Sequence, residues 1–343
     1  MNEPLENALP KSAHPEPEPP ENFPPISAAL PADWDEQVRA LKARSFKSWV
    51  LVTLFQVLAK LPLRVRMGMG WLLGHATPLL VRRRAKIVTR NLELCFPELS
   101  ETERKRLFKS HFRALAQTIV DRGILWFGSP QDVESLVQTK GLDHLLYFRN
   151  RRLPVMMLAP HFVGLDAAAS RLTLIGPEGG TLYSPQADPD VDALVRLGRA
   201  RFHKVHLISR REGIRGLVRV IKNNLPIYYL PDMDFGHKGA VFVPFFGVST
   251  ATQTSTAQLA RQFDLPVVPI LSWWNPKTGL YCVEVLPPLS TFPGKGTTLE
   301  QDTAHLNELL EGWIGKDPSQ YYWVHRRFKT RPDGQPDPYS KNN

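Results

Sequence analysis

Two residues near the middle of the chain have the types and the spacing for acid–base chemistry. His161 and Asp166 lie in the segment APHFVGLDAAAS, residues 159–170, directly after an apolar run that ends at Pro160. A carboxylate that faces one imidazole nitrogen fixes the tautomer and makes the other nitrogen a better base. Such a pair can take a proton from an alcohol near neutral pH. A helix-capping aspartate beside an unrelated loop histidine is the alternative interpretation of this short pattern.

A second candidate is a run of basic residues in ISRREGIRGLVRVIKNN, residues 208–224. Ser209 and Glu212 form a capping-box pattern, which predicts the start of a helix. Apolar residues at helical spacing predict a buried face, and a basic stripe lies beside it. The stripe consists of Arg211, Arg215, Arg219 and Lys222, with Arg210 in the first turn. The pattern favours a helix that lines a phosphate-bearing cleft, and an ordinary solvated helix face is the alternative.

Two further carboxylates, Asp232 and Asp234, follow an apolar run in YYLPDMDFGHKGAVFVPFFG, residues 228–247. Asp-x-Asp raises the idea of a metal site. No other cluster of acids lies nearby in the sequence, so we predict no metal and no cofactor. The end of a strand equally suits orientation of the substrate or of a basic side chain. The run 242–246 is apolar enough to line an acyl groove or to be core.

The last candidate is QYYWVHRRFKTRP, residues 320–332, where aromatic and basic residues alternate. Arg326 and Arg327 lie at its centre. Aromatic residues among bases can indicate nucleic acid or an amphipathic surface at lipid headgroups. The sequence contains no nucleic-acid motif in its expected context. The segment is therefore interpreted as binding headgroups and phosphates, and no nucleic-acid partner is predicted.

Alternating helices and strands must position these residues from residue 153 onward. Predicted strands cover 154–160, 181–184, 205–208, 226–230, 266–273 and 281–286, and predicted helices cover 164–175, 189–201, 210–223, 252–263 and 300–315. A longer helix is predicted over 100–122, with Ser100 and Glu103 as its capping box. Strands that alternate with helices of this size indicate an α/β domain with a largely parallel sheet.

The charge is unevenly distributed along the 343 residues. Residues 1–38 hold eight acids and one base, a net charge of −7, so the remainder carries +17 of the total of +10. Nine prolines fall in the first 31 residues, which predicts a disordered tail. The basic body implies an acidic partner, such as anionic lipid, a phosphorylated substrate or an acidic protein. Two cysteines without CxxC spacing predict neither a disulfide framework nor a zinc site.

Two apolar stretches, residues 49–63 and 71–81, follow the acidic tail, and basic residues come directly after them. A spanning helix needs about 20 apolar residues, and both stretches are shorter. A single short spanning helix, an interfacial or re-entrant hairpin and buried core helices all remain open. The predicted organisation is a tail over 1–38, a membrane-associated helical segment over 39–90, a domain over 91–332 that holds the candidate site residues, and a tail over 333–343.

These segments together resemble the late acyltransferases of lipid A biosynthesis, which add lauroyl or myristoyl chains and share the H-x4-D motif of the glycerolipid acyltransferases. The matching pieces, in the family's order over residues ~45–332, are RNLELCFPELSETER, PHFVGLD, RREGIRGLVRVIKNN, YYLPDMDFG, VFVPFFGV and QYYWVHRRFKTRP. The resemblance implies that residues 91–332 are an acyltransferase domain. It also implies a glycerolipid-acyltransferase-like, mostly parallel sheet with flanking helices, preceded by membrane-associated helices. The long acidic tail departs from the family pattern.

The resemblance also implies an enzyme at the cytoplasmic face of the inner membrane. Its donor would be acyl-acyl carrier protein, and its acceptor a phosphorylated, Kdo-bearing lipid A precursor. His161 would be the base and Asp166 its partner. Arg210, Arg211, Arg215, Arg219, Asp232, Asp234, Arg326 and Arg327 would bind substrate. A related acyltransferase with another lipid acceptor and a non-catalytic binder of membrane or nucleic acid are the competing hypotheses.

Overall fold

The computed structural model describes residues 32–176, 178–209 and 212–340, and its first third is helical. The helices are α1 (Trp34–Arg44), α2 (Phe46–Lys60), α3 (Leu63–Leu80), α4 (Arg82–Cys95), α5 (Glu101–Phe127) and α6 (Pro130–Leu136). Ser100 and Glu103 form the predicted capping box of α5. Helix α1 buries Trp34 and Val38, so residues 34–38 are part of the folded chain rather than of the predicted tail. Residues 1–31 of that tail lie outside the described residues.

The remaining elements include the alternating strands and helices that the sequence predicts. They are β1 (Val137–Lys140), α7 (Asp143–Asn150), β2 (Met156–Leu158), α8 (Leu165–Thr173), β3 (Gly179–Tyr183), α9 (Pro189–Arg199), β4 (Val205–Ser209), α10 (Ile214–Lys222), β5 (Ile227–Tyr229), β6 (Ala240–Phe245), β7 (Val248–Gln253), α11 (Ser255–Gln262), β8 (Val267–Trp274), β9 (Tyr281–Val285) and α12 (Leu299–Lys316). Each predicted strand and helix is present with shifted ends.

Seven strands form one sheet in the order β1-β9-β8-β2-β5-β3-β4. Strands β8 and β9 are antiparallel, and the other neighbouring pairs are parallel. The predicted α/β class with a mostly parallel sheet is therefore confirmed. Strands β6 and β7 form a separate antiparallel hairpin, which the sequence analysis did not assign. Phe245 of this hairpin is fully buried in the core.

The two faces of the sheet have different surroundings. Helix α10 packs closely on one face, where a Cβ on Gly216 would lie 2.3 Å from a methyl group of Ile208. Met157, Thr181, Leu207 and Tyr228 line a cavity, whose other walls include residues of α7, α8 and α9. A sheet with one tightly packed face and one face beside an open space is suited to hold an elongated apolar ligand.

Helices α2 and α3 pack against the long helix α5. A Cβ on Gly123 of α5 would lie 2.6 Å from Leu58, so only glycine permits this approach of α2. Arg66 of α3 forms a buried ion pair with Asp121, which also accepts a hydrogen bond of 3.0 Å from the Tyr281 hydroxyl. This network ties the N-terminal helices to the sheet. None of the helices in the described ranges combines the length and the apolar character needed to cross a membrane.

Candidate active site

His161 and Asp232 meet because two neighbouring parallel strands end side by side. Leu158 of β2 is in register with Tyr229 of β5, and each strand runs into a short turn that carries one of these polar residues. The carboxyl ends of parallel strands are where α/β sheets place their sites. Topology therefore brings together two residues that are 71 positions apart in the chain.

Asp232 binds His161 twice. Its Oδ1 lies 2.6 Å from the His161 Nδ1, and its Oδ2 accepts a hydrogen bond of 2.8 Å from the His161 backbone N–H. Burial raises the pKa of Asp232, but the attraction and hydrogen bonds of His161 outweigh burial and leave that pKa below its usual value. An ionised carboxylate can only accept, so Nδ1 carries a proton, and in the neutral imidazole Nε2 is then the nitrogen with the free lone pair. His161 lines the cavity and can act there as a base.

The C-terminal segment holds the His161 turn in place. The backbone N–H of Val163 donates to the Gln320 carbonyl at 2.7 Å, and the backbone N–H of Tyr322 donates to the His161 carbonyl at 2.9 Å. Phe162 and Tyr321 form an isolated antiparallel bridge. The aromatic–basic segment at 320–332 thus clamps the candidate base.

Asp166 does not occupy the predicted place beside the His161 ring. It lies in the first turn of α8, where its Oδ2 accepts from Arg122 at 2.8 Å and its Oδ1 lies 2.8 Å from the Arg199 guanidinium. Burial raises the pKa of this carboxyl, but Arg199 and Arg122 outweigh burial and hold the pKa well below its usual range. The predicted His161–Asp166 pair is therefore replaced by two pairs, His161–Asp232 and Asp166 with its arginines.

The arginines that bind Asp166 were not predicted from the sequence. Arg122 lies on α5 and Arg199 at the last position of α9, and both line the same cavity as His161. Two guanidinium groups and one carboxylate leave one net positive charge at this wall. Neither arginine belongs to a local motif, and only the packing of α5, α8 and α9 brings them together.

Three other predicted site residues have polar partners within the protein, and of the three Asp234 also lines the cavity. The Asp234 carboxylate accepts from the Thr330 backbone N–H and hydroxyl, each at 2.7 Å. Arg327 is buried and donates to the Ala251 carbonyl and the Thr252 hydroxyl at 2.8 and 2.9 Å. Arg326 pairs with Asp337. These contacts hold the C-terminal segment and the β6–β7 hairpin in place, and substrate binding by the three residues stays a prediction.

The basic helix also differs from its prediction. Helix α10 begins at Ile214 with Gly213 before it, so Ser209 and Glu212 do not cap it. Arg215 and Arg219 are exposed and do not line the cavity. Arg210 and Arg211 lie outside the described residues. The arginines that do line the cavity include Arg122 and Arg199.

The cavity has a volume of about 1630 Å³. It runs from His161, at the carboxyl ends of β2 and β5, along the sheet to Gly179 and Val205 at the opposite ends of β3 and β4. Its walls are mainly apolar, with side chains such as Leu145, Met157, Leu172 and Leu207. Among the residues that the structure describes, no three His, Cys, Asp or Glu side chains are grouped as metal ligands.

This fold and this site define a class of protein. A partly exposed histidine paired with a buried aspartate at adjacent strand ends, open to a long apolar cavity with a positively charged wall, is the arrangement expected of a general-base enzyme that acts on a long-chain substrate. Comparison with known proteins narrows the class. The model of the family described as bacterial lipid A biosynthesis acyltransferase matches residues 35–330.

Individual relatives agree with the family match. The chain is 33% identical to the lipid A biosynthesis lauroyltransferase of Escherichia coli K12 over 93% of this chain and 99% of the relative. It is 34% identical to a lipid A biosynthesis acyltransferase of Haemophilus influenzae over 83% and 91% of the two chains. A myristoyltransferase of E. coli K12 is 30% identical over 76% of this chain and 79% of its own. The chain belongs to the bacterial lipid A biosynthesis acyltransferases and is an acyltransferase.

Proposed function

We propose that this enzyme transfers a lauroyl or myristoyl chain from acyl-acyl carrier protein to a hydroxyl of a Kdo-bearing lipid A precursor. The observation that carries the proposal is the His161–Asp232 pair at the end of the apolar cavity. Relatives named for lauroyl and myristoyl transfer support these chain lengths. The donor and the acceptor follow from the family resemblance and the basic charge of the body.

The proposed reaction is a direct transfer with His161 as general base. Nε2 of His161 takes the proton of the acceptor hydroxyl while Asp232 holds Nδ1 and stabilises the imidazolium that forms. The acceptor oxygen attacks the thioester carbonyl and forms the new C–O bond. The C–S bond then breaks, and the leaving thiolate receives the proton from His161. No acyl-serine intermediate is needed in this sequence.

The positive wall has a defined place in this reaction. Arg122 and Arg199 are held by Asp166 and line the cavity with His161. Fixed cations beside the cavity favour the negative charge that develops on the carbonyl oxygen or that the acceptor's phosphate brings. In this scheme Asp166 acts by positioning the two arginines.

The proposed location, the cytoplasmic face of the inner membrane, follows from the family resemblance, and the N-terminal helices support attachment to a membrane surface. Phe46, Leu72, Leu79 and Leu80 are between 62% and 81% exposed, which is unusual for such large apolar side chains. Arg82 and Arg83 follow directly in α4 and are also exposed. Exposed apolar side chains beside bases fit an interfacial attachment to anionic lipid.

Transfer with purified components tests the proposal. The full chain is incubated with lauroyl- or myristoyl-acyl carrier protein and a tetra-acylated Kdo-bearing lipid A precursor, and the lipid product is weighed by mass spectrometry. We expect a mass gain of one acyl chain, and no gain with His161→Ala. Transfer to a phospholipid but not to the lipid A precursor would contradict the proposed acceptor.

A further inference from the structure

Helix α10 presents a basic stripe that the proposed reaction does not use. The helix buries Gly216, Leu217, Val220 and Ile221 against the sheet. Its opposite side exposes Arg215, Arg219 and Lys222, which are spaced by one turn each. The stripe extends over roughly 10 Å, at 1.5 Å of rise per residue.

This stripe carries charge that the described part of the chain does not neutralise. Within the described ranges, no carboxylate forms an ion pair with Arg215, Arg219 or Lys222. The neighbouring elements behave differently: Arg196 of α9 pairs with Asp192, and Lys204 before β4 pairs with Glu178. The three free cations of α10 are therefore available to an acidic partner.

The position of α10 connects the stripe to the active site. Gly213 and Ile214 at its start line the cavity that contains His161, and so do Asn223, Asn224 and Leu225 after its end. A partner that rests on the exposed side of α10 would therefore lie across the sheet from the body of the cavity, next to the two ends of the cavity that these residues line. It would not enter the cavity, because Arg215 and Arg219 do not line it.

The composition of the exposed face of α10 indicates whether its partner is a protein or a membrane. The N-terminal helices combine bases with exposed apolar side chains, as an interfacial surface does. Among the described residues of α10, none of the large apolar side chains is exposed. A charged face without apolar groups to insert suits electrostatic docking of a soluble acidic protein.

We infer that Arg215, Arg219 and Lys222 of α10 form the docking surface for the acidic carrier protein that delivers the acyl thioester. The inference rests on the proposed function, since it requires a protein-borne donor. In this inference the basic residues of the helix act outside the cavity and bind the carrier protein. They do not bind the acceptor's phosphates, which is the role that the sequence analysis predicted.

Kinetics with two donors test this inference on the full-length enzyme. One donor is lauroyl-acyl carrier protein, and the other is lauroyl-pantetheine, which has the same thioester without the protein. For Arg215→Glu/Arg219→Glu we expect the KM for the carrier-borne donor to rise about tenfold or more, because two attractive charges become repulsive. The KM values for lauroyl-pantetheine and for the lipid acceptor should stay at the wild-type level.

A matched control is Arg106→Glu/Lys109→Glu on the exposed side of α5, which makes the same charge change elsewhere. It should leave the KM for both donors unchanged. Arg215→Gln/Arg219→Gln, which removes charge without reversing it, should give a smaller rise and a wild-type melting temperature. Equal losses with both donors, a raised KM for the acceptor, or reduced binding to anionic vesicles with an unchanged carrier KM would each overturn the inference.

Direct binding separates this inference from the proposed function. Fluorescence anisotropy of labelled acyl carrier protein should show binding that weakens with salt and is lost in Arg215→Glu/Arg219→Glu. Wild-type binding by that variant would overturn the docking surface even if acyl transfer proceeds. If the variant lost carrier binding but the wild-type enzyme transferred no acyl chain from either donor, the docking surface would be supported and the proposed reaction would be rejected.

Discussion

His161 depends on a carboxylate that lies 71 positions later in the chain. The residue types at both positions were visible in the sequence, and each was placed at the end of a strand. Their pairing was not visible, because it requires β2 and β5 to be neighbours, and strand order is not encoded in any local pattern. The nearer carboxylate, Asp166, has the spacing for the pair but points to Arg122 and Arg199 instead.

Asp232→Asn should therefore reduce kcat strongly while the fold is retained. An amide can donate to Nδ1, which would favour the tautomer with the proton on Nε2 and remove the base. The loss expected by analogy with a triad carboxylate is on the order of 10³–10⁴-fold. Steady-state transfer rates measure the effect, with circular dichroism to verify folding. A kcat within a few-fold of wild type would show that Asp232 does not orient His161 during catalysis.

Asp166→Asn should act on stability as well as on transfer. Removing this carboxylate leaves two partly buried guanidinium groups without their partner, which costs about 3 kcal/mol when a buried pair is broken. Urea unfolding measures the loss. In a double-mutant cycle, Arg199→Gln should cost less in the Asp166→Asn background than in the wild type. Additive losses would mean that the two side chains do not interact in solution.

His111 should make the fold sensitive to mild acid. It is fully buried, with Nδ1 at 3.1 Å from the Ser319 carbonyl, and burial lowers its pKa to about 4. Because the folded-state pKa is lowered from 6.5, the unfolded chain binds the proton first as the pH falls from 6.5 toward 4. This difference should remove about 2 kcal/mol of stability between pH 7 and pH 5. Urea unfolding of His111→Asn should show a smaller loss over the same interval, and an identical pH dependence would contradict this account.

At the scale of elements, periodicity and capping signals predicted most of the strands and helices from residue 153 onward, and the start of α5. The missed elements have specific reasons. Strand β1 is four residues long and polar at three of its four positions, so its sequence carries little signal. The β6–β7 hairpin contains a proline at 244 and was interpreted as an apolar run. Helix α10 starts late because Gly213, with a φ of 60°, precedes it.

The packing of α9 against α5 can be tested by mutation. A Cβ on Gly198 would lie 2.4 Å from the ring of Trp126, so Gly198→Ala must push α9 away or displace the indole. We expect a loss of about 1–3 kcal/mol, as for other overpacked sites. Since Arg199 is the next residue, its contact with Asp166 should also weaken and transfer should slow.

Gly312→Ala is the matched control for this change. Gly312 lies in the interior of α12, and a Cβ there meets nothing within 4 Å. Alanine should stabilise that helix by roughly 0.5–1 kcal/mol, because glycine loses more backbone freedom on folding. Thermal melts of the two variants give the comparison. A neutral Gly198→Ala variant would show that α5 and α9 can separate without cost.

At the scale of the whole molecule, two surfaces with different chemistry lie outside the cavity. The N-terminal helices expose apolar side chains, and α10 exposes only a charged stripe among its large described side chains. Composition indicated a basic body but could not show which basic residues lie on which surface. The surface on which a basic residue lies depends on which side of its helix is buried, and burial follows from tertiary packing.

The exposed apolar surface of α3 should bind a bilayer. Leu79 and Leu80 are 70% and 80% exposed, so Leu79→Asn/Leu80→Asn removes two side chains that could enter the acyl boundary. Each buried leucine contributes about 1.5–3 kcal/mol, so vesicle binding should fall at least tenfold. The loss should be similar on neutral phosphatidylcholine and on anionic phosphatidylglycerol vesicles.

Arg82→Gln/Arg83→Gln provides the complementary measurement on the same vesicles. Each base near an anionic surface contributes about 1 kcal/mol, so binding to phosphatidylglycerol vesicles should fall roughly 30-fold for the pair. Binding to phosphatidylcholine should not change, since no surface charge is present to attract the arginines. Vesicle sedimentation with the full chain measures both variants. If the leucine variant bound both vesicle types as tightly as wild type, the exposed side of α3 would not be the membrane contact, and the surface around Phe46 and Trp49 on α2 would be tested next.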